Sequence, residues 1–341
     1  MHARFGRGRT HAARAARAAR AAHAARAGLP LALGLALALG LALGALNVPS
    51  ALAQPARTPV ARVKHVVMSG GHPLALWEKR PPKPTRAIVL VHGRTWSSLP
   101  DFDLQVGGEQ RSLMDALVAR GYAVYALDLR GYGATPRDPS GWNSPKGAAD
   151  DLAAALAWVA ANDGVPGKPV LFGWSNGATV AQLCAQRHPE RISDLILFGY
   201  WKDPDAAIAP VADTIKPLAE KTTAEAAASD FIAPNAMSRK ALRAYVAAAL
   251  AADPVRTDWR RLEEYNALDP ARVRAPTLLI QGELDPSLDS DALARFFSRL
   301  ANPDREWVVI AGGDHAALLE NMQPAFVAAM VSFIERPRWK P

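Results

Sequence analysis

From residue 62 onward, short uninterrupted apolar runs alternate with longer stretches in which apolar side chains recur every three or four positions. The runs are Ala87–Val91, Ala123–Leu127, Pro169–Phe172, Leu195–Phe198, Thr277–Ile280 and Trp307–Ile310. With no polar position inside them, they predict strands buried on both faces. The intervening stretches, Gly108–Arg120, Lys146–Ala161, Asn176–His188, Ser290–Leu300 and Ala316–Ile334, carry the helical period. Strands alternating with helices predict an α/β fold, a mostly parallel central sheet with helices on both faces. Such sheets place their chemistry in the loops that leave the carboxyl ends of the strands. Two further extended stretches, Arg62–Met68 and Leu74–Glu78, flank Ser69-Gly70-Gly71-His72-Pro73, a hairpin signal.

The alternation lapses in one internal region. Residues 201–272 contain Ala-rich helical patterns broken by Pro210, Pro217, Pro234 and Pro254, and no convincing strand. That is longer than one crossover between strands requires, so a helical cap inserted into the domain is expected.

The N-terminus differs from the rest in charge. The whole chain has 40 basic and 32 acidic side chains, a net charge of +8. Seven of those arginines fall within residues 1–53, which hold no acid; without them 33 basic groups face 32 acidic ones. A nearly neutral body gives no electrostatic basis for a nucleic-acid partner. The basic stretch Thr10–Ala27 leads into the apolar run Leu29–Leu46, then Pro49, Ser50 and Ala51-Leu52-Ala53 before Gln54. This is the layout of a secretory signal peptide over residues 1–53, cleaved after Ala53, which predicts a periplasmic or secreted domain over 54–341. The alternative is an uncleaved anchor, since 18 apolar residues just suffice to span a bilayer; membrane contact is expected only in that case. The single cysteine, Cys184, lies in a helical pattern and reads as a small buried apolar residue.

Four loops carry candidate chemistry. Gly173-Trp174-Ser175-Asn176-Gly177 follows the strand Pro169–Phe172 and opens a helix. Glycines on both sides allow a strained turn that projects the Ser175 hydroxyl above a helix N-terminus, where free N–H groups favour negative charge. His92-Gly93-Arg94-Thr95 leaves the strand Ala87–Val91. The backbone N–H groups of Arg94 and Asn176 are candidate oxyanion donors. His92, tied to a strand end, is expected to orient the loop by a hydrogen bond and not to act as a base. Gln281-Gly282-Glu283-Leu284-Asp285-Pro286 places Asp285 at a strand exit, where a carboxylate can fix an imidazole's tautomer. Glu283 in the same loop, and Asp203 or Asp205 after the strand Leu195–Phe198, compete for that role. Ala311-Gly312-Gly313-Asp314-His315 puts a histidine on a glycine-flanked loop after a strand. Among the five histidines after residue 53, only His315 has the position of a general base; His65 falls in a strand, His72 in a turn and His188 at a helix end.

In the order serine, aspartate, histidine, these motifs resemble the α/β-hydrolase superfamily over roughly residues 62–336. Asp128-Leu129-Arg130-Gly131-Tyr132-Gly133 and Pro276-Thr277-Leu278-Leu279-Ile280-Gln281-Gly282 are similar to it as well. The resemblance implies acyl transfer through an acyl-enzyme without metal or cofactor: Ser175 as nucleophile, His315 as base and then acid, Asp285 as orienting carboxylate. Serine in place of aspartate at the turn argues against the dehalogenases and epoxide hydrolases of the superfamily. Trp96, Trp142 and Trp174, in or beside these loops, are candidate walls of an apolar pocket for a small-molecule substrate. Hydrolysis of a carboxylic ester is the favoured expectation. Peptidase, lactonase, thioesterase and carbon–carbon hydrolase activities stay open, as does a non-catalytic binding protein of the same fold.

Overall fold

The computed structural model describes residues 60–212, 219–287 and 289–338. Eight strands form one sheet: β1 (Val63–Ser69), β2 (His72–Lys79), β3 (Arg86–Val91), β4 (Tyr122–Leu127), β5 (Val170–Trp174), β6 (Asp194–Phe198), β7 (Thr277–Gly282) and β8 (Arg305–Ile310). Their spatial order is β1-β2-β4-β3-β5-β6-β7-β8. The hairpin β1–β2 is antiparallel, and β2 meets β4 antiparallel. Every later pairing is parallel. The expected fold class is therefore the observed one, with each predicted run inside a strand except for Pro169, which precedes β5.

The alternation of side chains along these strands sends alternate residues into two separate cores. On one face Val89, Val91, Leu171, Leu197 and Leu279 pack beneath helices α3 (Pro145–Asn162), α4 (Asn176–Arg187) and α7 (Ser290–Arg299). On the other, Ile88, Leu90, Phe172, Ile196 and Ile280 pack beneath α2 (Leu113–Val118) and α8 (Gln323–Glu335). Cys184 is fully buried on the first face, and burial pushes its thiol up to about 12, as a small core residue requires.

Two helix starts differ from the sequence expectation. The stretch from Gly108 begins with Glu109–Gln110, which pairs in an antiparallel ribbon with Gln105–Val106, so α2 starts at Leu113. Ser112 sets that start by accepting from the Asp115 N–H. The stretch from Ala316 opens as turns, and α8 begins only at Gln323. Pro324 lacks the N–H that an earlier start would need to continue the helix and sits in its first turn, where that loss is harmless.

The segment between β6 and β7 holds α5 (Ala224–Ala228) and α6 (Arg239–Ala252), then 3-10 turns at Leu262–Ala267 and Pro270–Arg272. Ala241, Tyr245 and Ala249 of α6 join the second core. A five-residue helix α1 (Ser98–Phe102) follows β3. Among the described residues no helix is long and apolar enough to cross a membrane, and the predicted signal segment lies outside the described residues.

Candidate active site

The loops singled out in the sequence leave the carboxyl ends of β3, β5, β7 and β8. At the end of β5 the chain turns straight into α4. Ser175 occupies φ 57°, ψ −122°, a conformation that a non-glycine residue adopts only under strain. Gly173 and Gly177 permit it by close approach: a Cβ on Gly173 would lie 2.3 Å from the Gly177 carbonyl oxygen, and one on Gly177 2.3 Å from that of His92. The Ser175 N–H donates to the Phe198 carbonyl at 2.8 Å, which fixes the turn against β6. Ser175 remains partly accessible.

His315 lies at the neighbouring strand ends. Its Nδ1 pairs with Asp285 Oδ2 at 2.8 Å, leaving Nε2 as the free ring nitrogen. Trp174, whose ring centroid is 5.8 Å from the imidazole, donates its Nε1–H to the His315 carbonyl at 2.7 Å and ties the histidine loop to the turn. No hydrogen bond joins the Ser175 hydroxyl to the ring, a contact that in unliganded hydrolytic sites often tightens only with substrate. Gly199, at φ +60°, completes the packing: a Cβ there would fall 2.8 Å from His315 Cε1.

The charges follow from these contacts. Burial lowers the affinity of His315 for a proton, but the hydrogen bond and charge of Asp285, with the Asp230 and Asp314 carboxylates, outweigh it and raise its pKa above 6.5. Burial pushes the Asp285 carboxyl up, and its bonds to His315 and to the Ser287 hydroxyl and N–H bring it below the ordinary value. Gln281 Nε2 also donates to Asp285 Oδ2, at 2.9 Å.

The competing acids are engaged elsewhere. Asp203 pairs with Arg295 and Asp205 with Arg299, and Glu283 accepts from the Gly312 N–H. His92 is a loop brace: Nδ1–H donates to the Gly93 carbonyl and Nε2 accepts from the Leu129 N–H. Burial lowers its pKa to about 4, so it stays neutral.

Gly93 packs against the serine, its Cβ direction 3.5 Å from Ser175 Cβ, so the Arg94 N–H follows directly at that loop. Asn176 opens α4, and its Oδ1 accepts from the Tyr265 hydroxyl. The Arg94 side chain is exposed. Trp96 is buried and donates Nε1–H to Asp230 at 3.0 Å. Trp142 lies on the short strand Trp142–Asn143. It pairs with Asp258 through the main chain, Arg261 lies over its ring, and it borders a surface depression with Arg130, Asp138 and Ser140.

Asp230 was not singled out in the sequence. It is half-buried, and burial raises its pKa to about 6 against the lowering effect of His315 and of the Trp96 N–H. It lies in an Ala-rich stretch without a motif, so only the tertiary contact with Trp96, more than a hundred residues away, reveals it.

Comparison with known proteins agrees with this architecture. The fold is similar to a thioesterase domain from the curacin biosynthetic pathway, with 19% identity, TM-score 0.57, and 80% of this chain and 99% of that one covered. It is similar to a hydrolase from Pseudomonas aeruginosa PA01, with 20% identity, TM-score 0.58, and 80% and 98% covered. A thermophilic esterase from Thermogutta terrifontis gives 20% identity, TM-score 0.54, and the same coverage of 80% and 98%. In sequence, 121 residues are 32% identical to the biotin biosynthesis bifunctional protein BioHC of Teredinibacter turnerae, covering 34% of this chain and only 17% of that relative's length. The profile of the serine aminopeptidase S33 family matches residues 82–322, most of the chain; the protein belongs to that family and is a hydrolase of the α/β-hydrolase fold.

Proposed function

We propose that the protein is a serine hydrolase that cleaves a carboxylic ester of a small to medium, partly apolar substrate through an acyl-enzyme. The observation that carries this is the strained serine at the N-terminus of α4 beside a histidine already bonded to a buried carboxylate. In this reading Ser175 Oγ attacks the carbonyl carbon while its proton passes to His315 Nε2. The Arg94 and Asn176 N–H groups stabilise the oxyanion. The imidazolium, held by Asp285, then protonates the leaving alcohol, and water repeats the sequence to release the acid. Trp174 and Trp96, both buried at the site, support an apolar acyl or aryl group.

Asp230 favours a second reading within the family. A half-buried carboxylate close enough to His315 to influence its charge would suit a substrate amine, as an aminopeptidase requires. A panel of p-nitrophenyl esters and aminoacyl p-nitroanilides separates the two. The Ser175→Ala variant should lose on the order of 10⁶ in kcat on whichever class is turned over, and should not be labelled by a fluorophosphonate. Turnover retained in that variant removes Ser175 from the mechanism. The basic, apolar leader supports export, with a mature N-terminus at Gln54 that N-terminal sequencing of the exported protein would reveal.

A further inference from the structure

The loop after β3, which carries the Arg94 N–H, is held largely from outside the sheet. Two buried carboxylates lie between it and the loop after β4, and each takes one N–H from each loop. Asp128, which belongs to the second loop, accepts from Ser98 at 3.0 Å and Ala134 at 3.0 Å. Asp253, which caps the C-terminus of α6 in the segment between β6 and β7, accepts from Ser97 at 2.8 Å and Gly133 at 2.9 Å. The successive N–H groups of both loops are thus divided between a carboxylate of the sheet domain and one of the segment.

The same segment grips this loop at three more points. Asp230 accepts from the Trp96 indole, and the Tyr245 hydroxyl donates to the buried Asp101 at 3.1 Å. Trp259 Nε1–H donates to the Tyr132 hydroxyl at 2.7 Å, and that hydroxyl donates to the Arg94 carbonyl itself. Backbone on the C-terminal side of the Gly93–Arg94 peptide is fixed in this way, and Asp253 is the anchor of the segment that holds one N–H from each loop at once.

We infer that Asp253 is a positioning residue for the oxyanion hole, holding the loop after β3 so that the Arg94 N–H points at the developing oxyanion. This rests on the serine-hydrolase reading, and the segment between β6 and β7 then completes the catalytic geometry as well as covering it. The oxyanion exists only in the transition state and intermediate, so a misdirected donor should lower kcat and leave KM nearly unchanged.

In Asp253→Asn the amide keeps one acceptor and turns a donor toward the second N–H. With active sites counted by fluorophosphonate titration, kcat per site should fall about 10- to 100-fold, with KM within about twofold. The Ki of a trifluoromethyl ketone, which forms an oxyanion on the serine, should weaken by the same factor, while the Ki of the matching methyl carbinol stays constant. A kcat per titrated site within about threefold of wild type, or equal weakening of both inhibitors, overturns the inference. Should Asp253→Asn not yield folded protein, Trp259→Phe, which cuts the tether through Tyr132 to the Arg94 carbonyl, carries the same measurements and outcomes. If Ser175→Ala still turns over substrate, the serine reading itself has failed. If Ser175→Ala is inactive and the tethering variants behave as wild type, only the positioning role is lost.

Discussion

At the scale of single residues, the histidine is set by the carboxylates around it. Asp285 bonds Nδ1, while Asp230 and Asp314 add charge without bonding the ring directly, and together they overcome the burial that would drive the proton off. In the proposed mechanism the base must be neutral, so kcat/KM should rise with pH through the His315 pKa, with the acid limb above 6.5. Asp230→Asn removes one of the raising charges and should move that limb to lower pH; a limb that stays in place would show that Asp230 does not act on the histidine. Asp285→Asn should lower kcat on the order of 10³- to 10⁴-fold with little change in KM, because the imidazole loses its fixed tautomer. Asp203→Asn and Asp205→Asn, whose partners are Arg295 and Arg299, should differ little from wild type in the same assay. The reverse ranking would move the acid to the end of β6.

At the scale of elements, the site is assembled where strand ends meet, and backbone space there is as restricted as side-chain space. Gly199 leaves β6 at φ +60° with its Cβ direction occupied by the His315 ring. Gly199→Ala adds both a strained backbone and a displaced imidazole, and a displacement of about 1 Å in a catalytic group costs about 100-fold. Its kcat should fall about 10- to 100-fold, and unfolding should still be cooperative in a thermal melt; an active alanine variant would mean the histidine loop can shift without loss. Elements of this kind differ in how legible they are in sequence. Buried parallel strands are continuous apolar runs, and the loops of Ser175, Asp285 and His315 carry glycines whose absence of a Cβ is itself a signal, so the sheet and the place of these loops at its strand ends were readable. The start of α8 was missed because apolar spacing continues through 316–322, where turn hydrogen bonds and Pro324 decide the backbone. Asp230 and Asp253 leave no trace in the chain, since their partners Trp96, Ser97 and Gly133 lie more than a hundred residues away.

At the scale of the whole molecule, the domain buries several carboxylates that other groups do not fully neutralise. Burial raises Asp128 and Asp230 to about 6, Asp253 above its ordinary value, and Asp101 well above it. Burial, together with its hydrogen bond to Asp314, raises Glu320 to about 8. A carboxyl whose pKa is raised by folding binds more protons in the folded state than in the unfolded one between its two values. Its contribution is therefore present at acid pH and is lost as pH climbs through the folded pKa. His92, held at about 4, works in the opposite sense between 4 and 6.5, but it is one group against five. Thermal stability should thus be greater near pH 5 than at pH 8. Glu320 is the group on which to test this, because glutamine is neutral like its protonated form and keeps an oxygen for the Asp314 N–H. Glu320→Gln should leave the midpoint at pH 5 within about a degree and raise it by a few degrees at pH 8, flattening the pH profile, at roughly 2–4 °C per kcal/mol for a domain of this size. A variant that melts lower than wild type at both pH values would place the carboxyl's value in a contact that glutamine cannot make, and would leave the acid-side stability to Asp101, Asp128, Asp230 and Asp253.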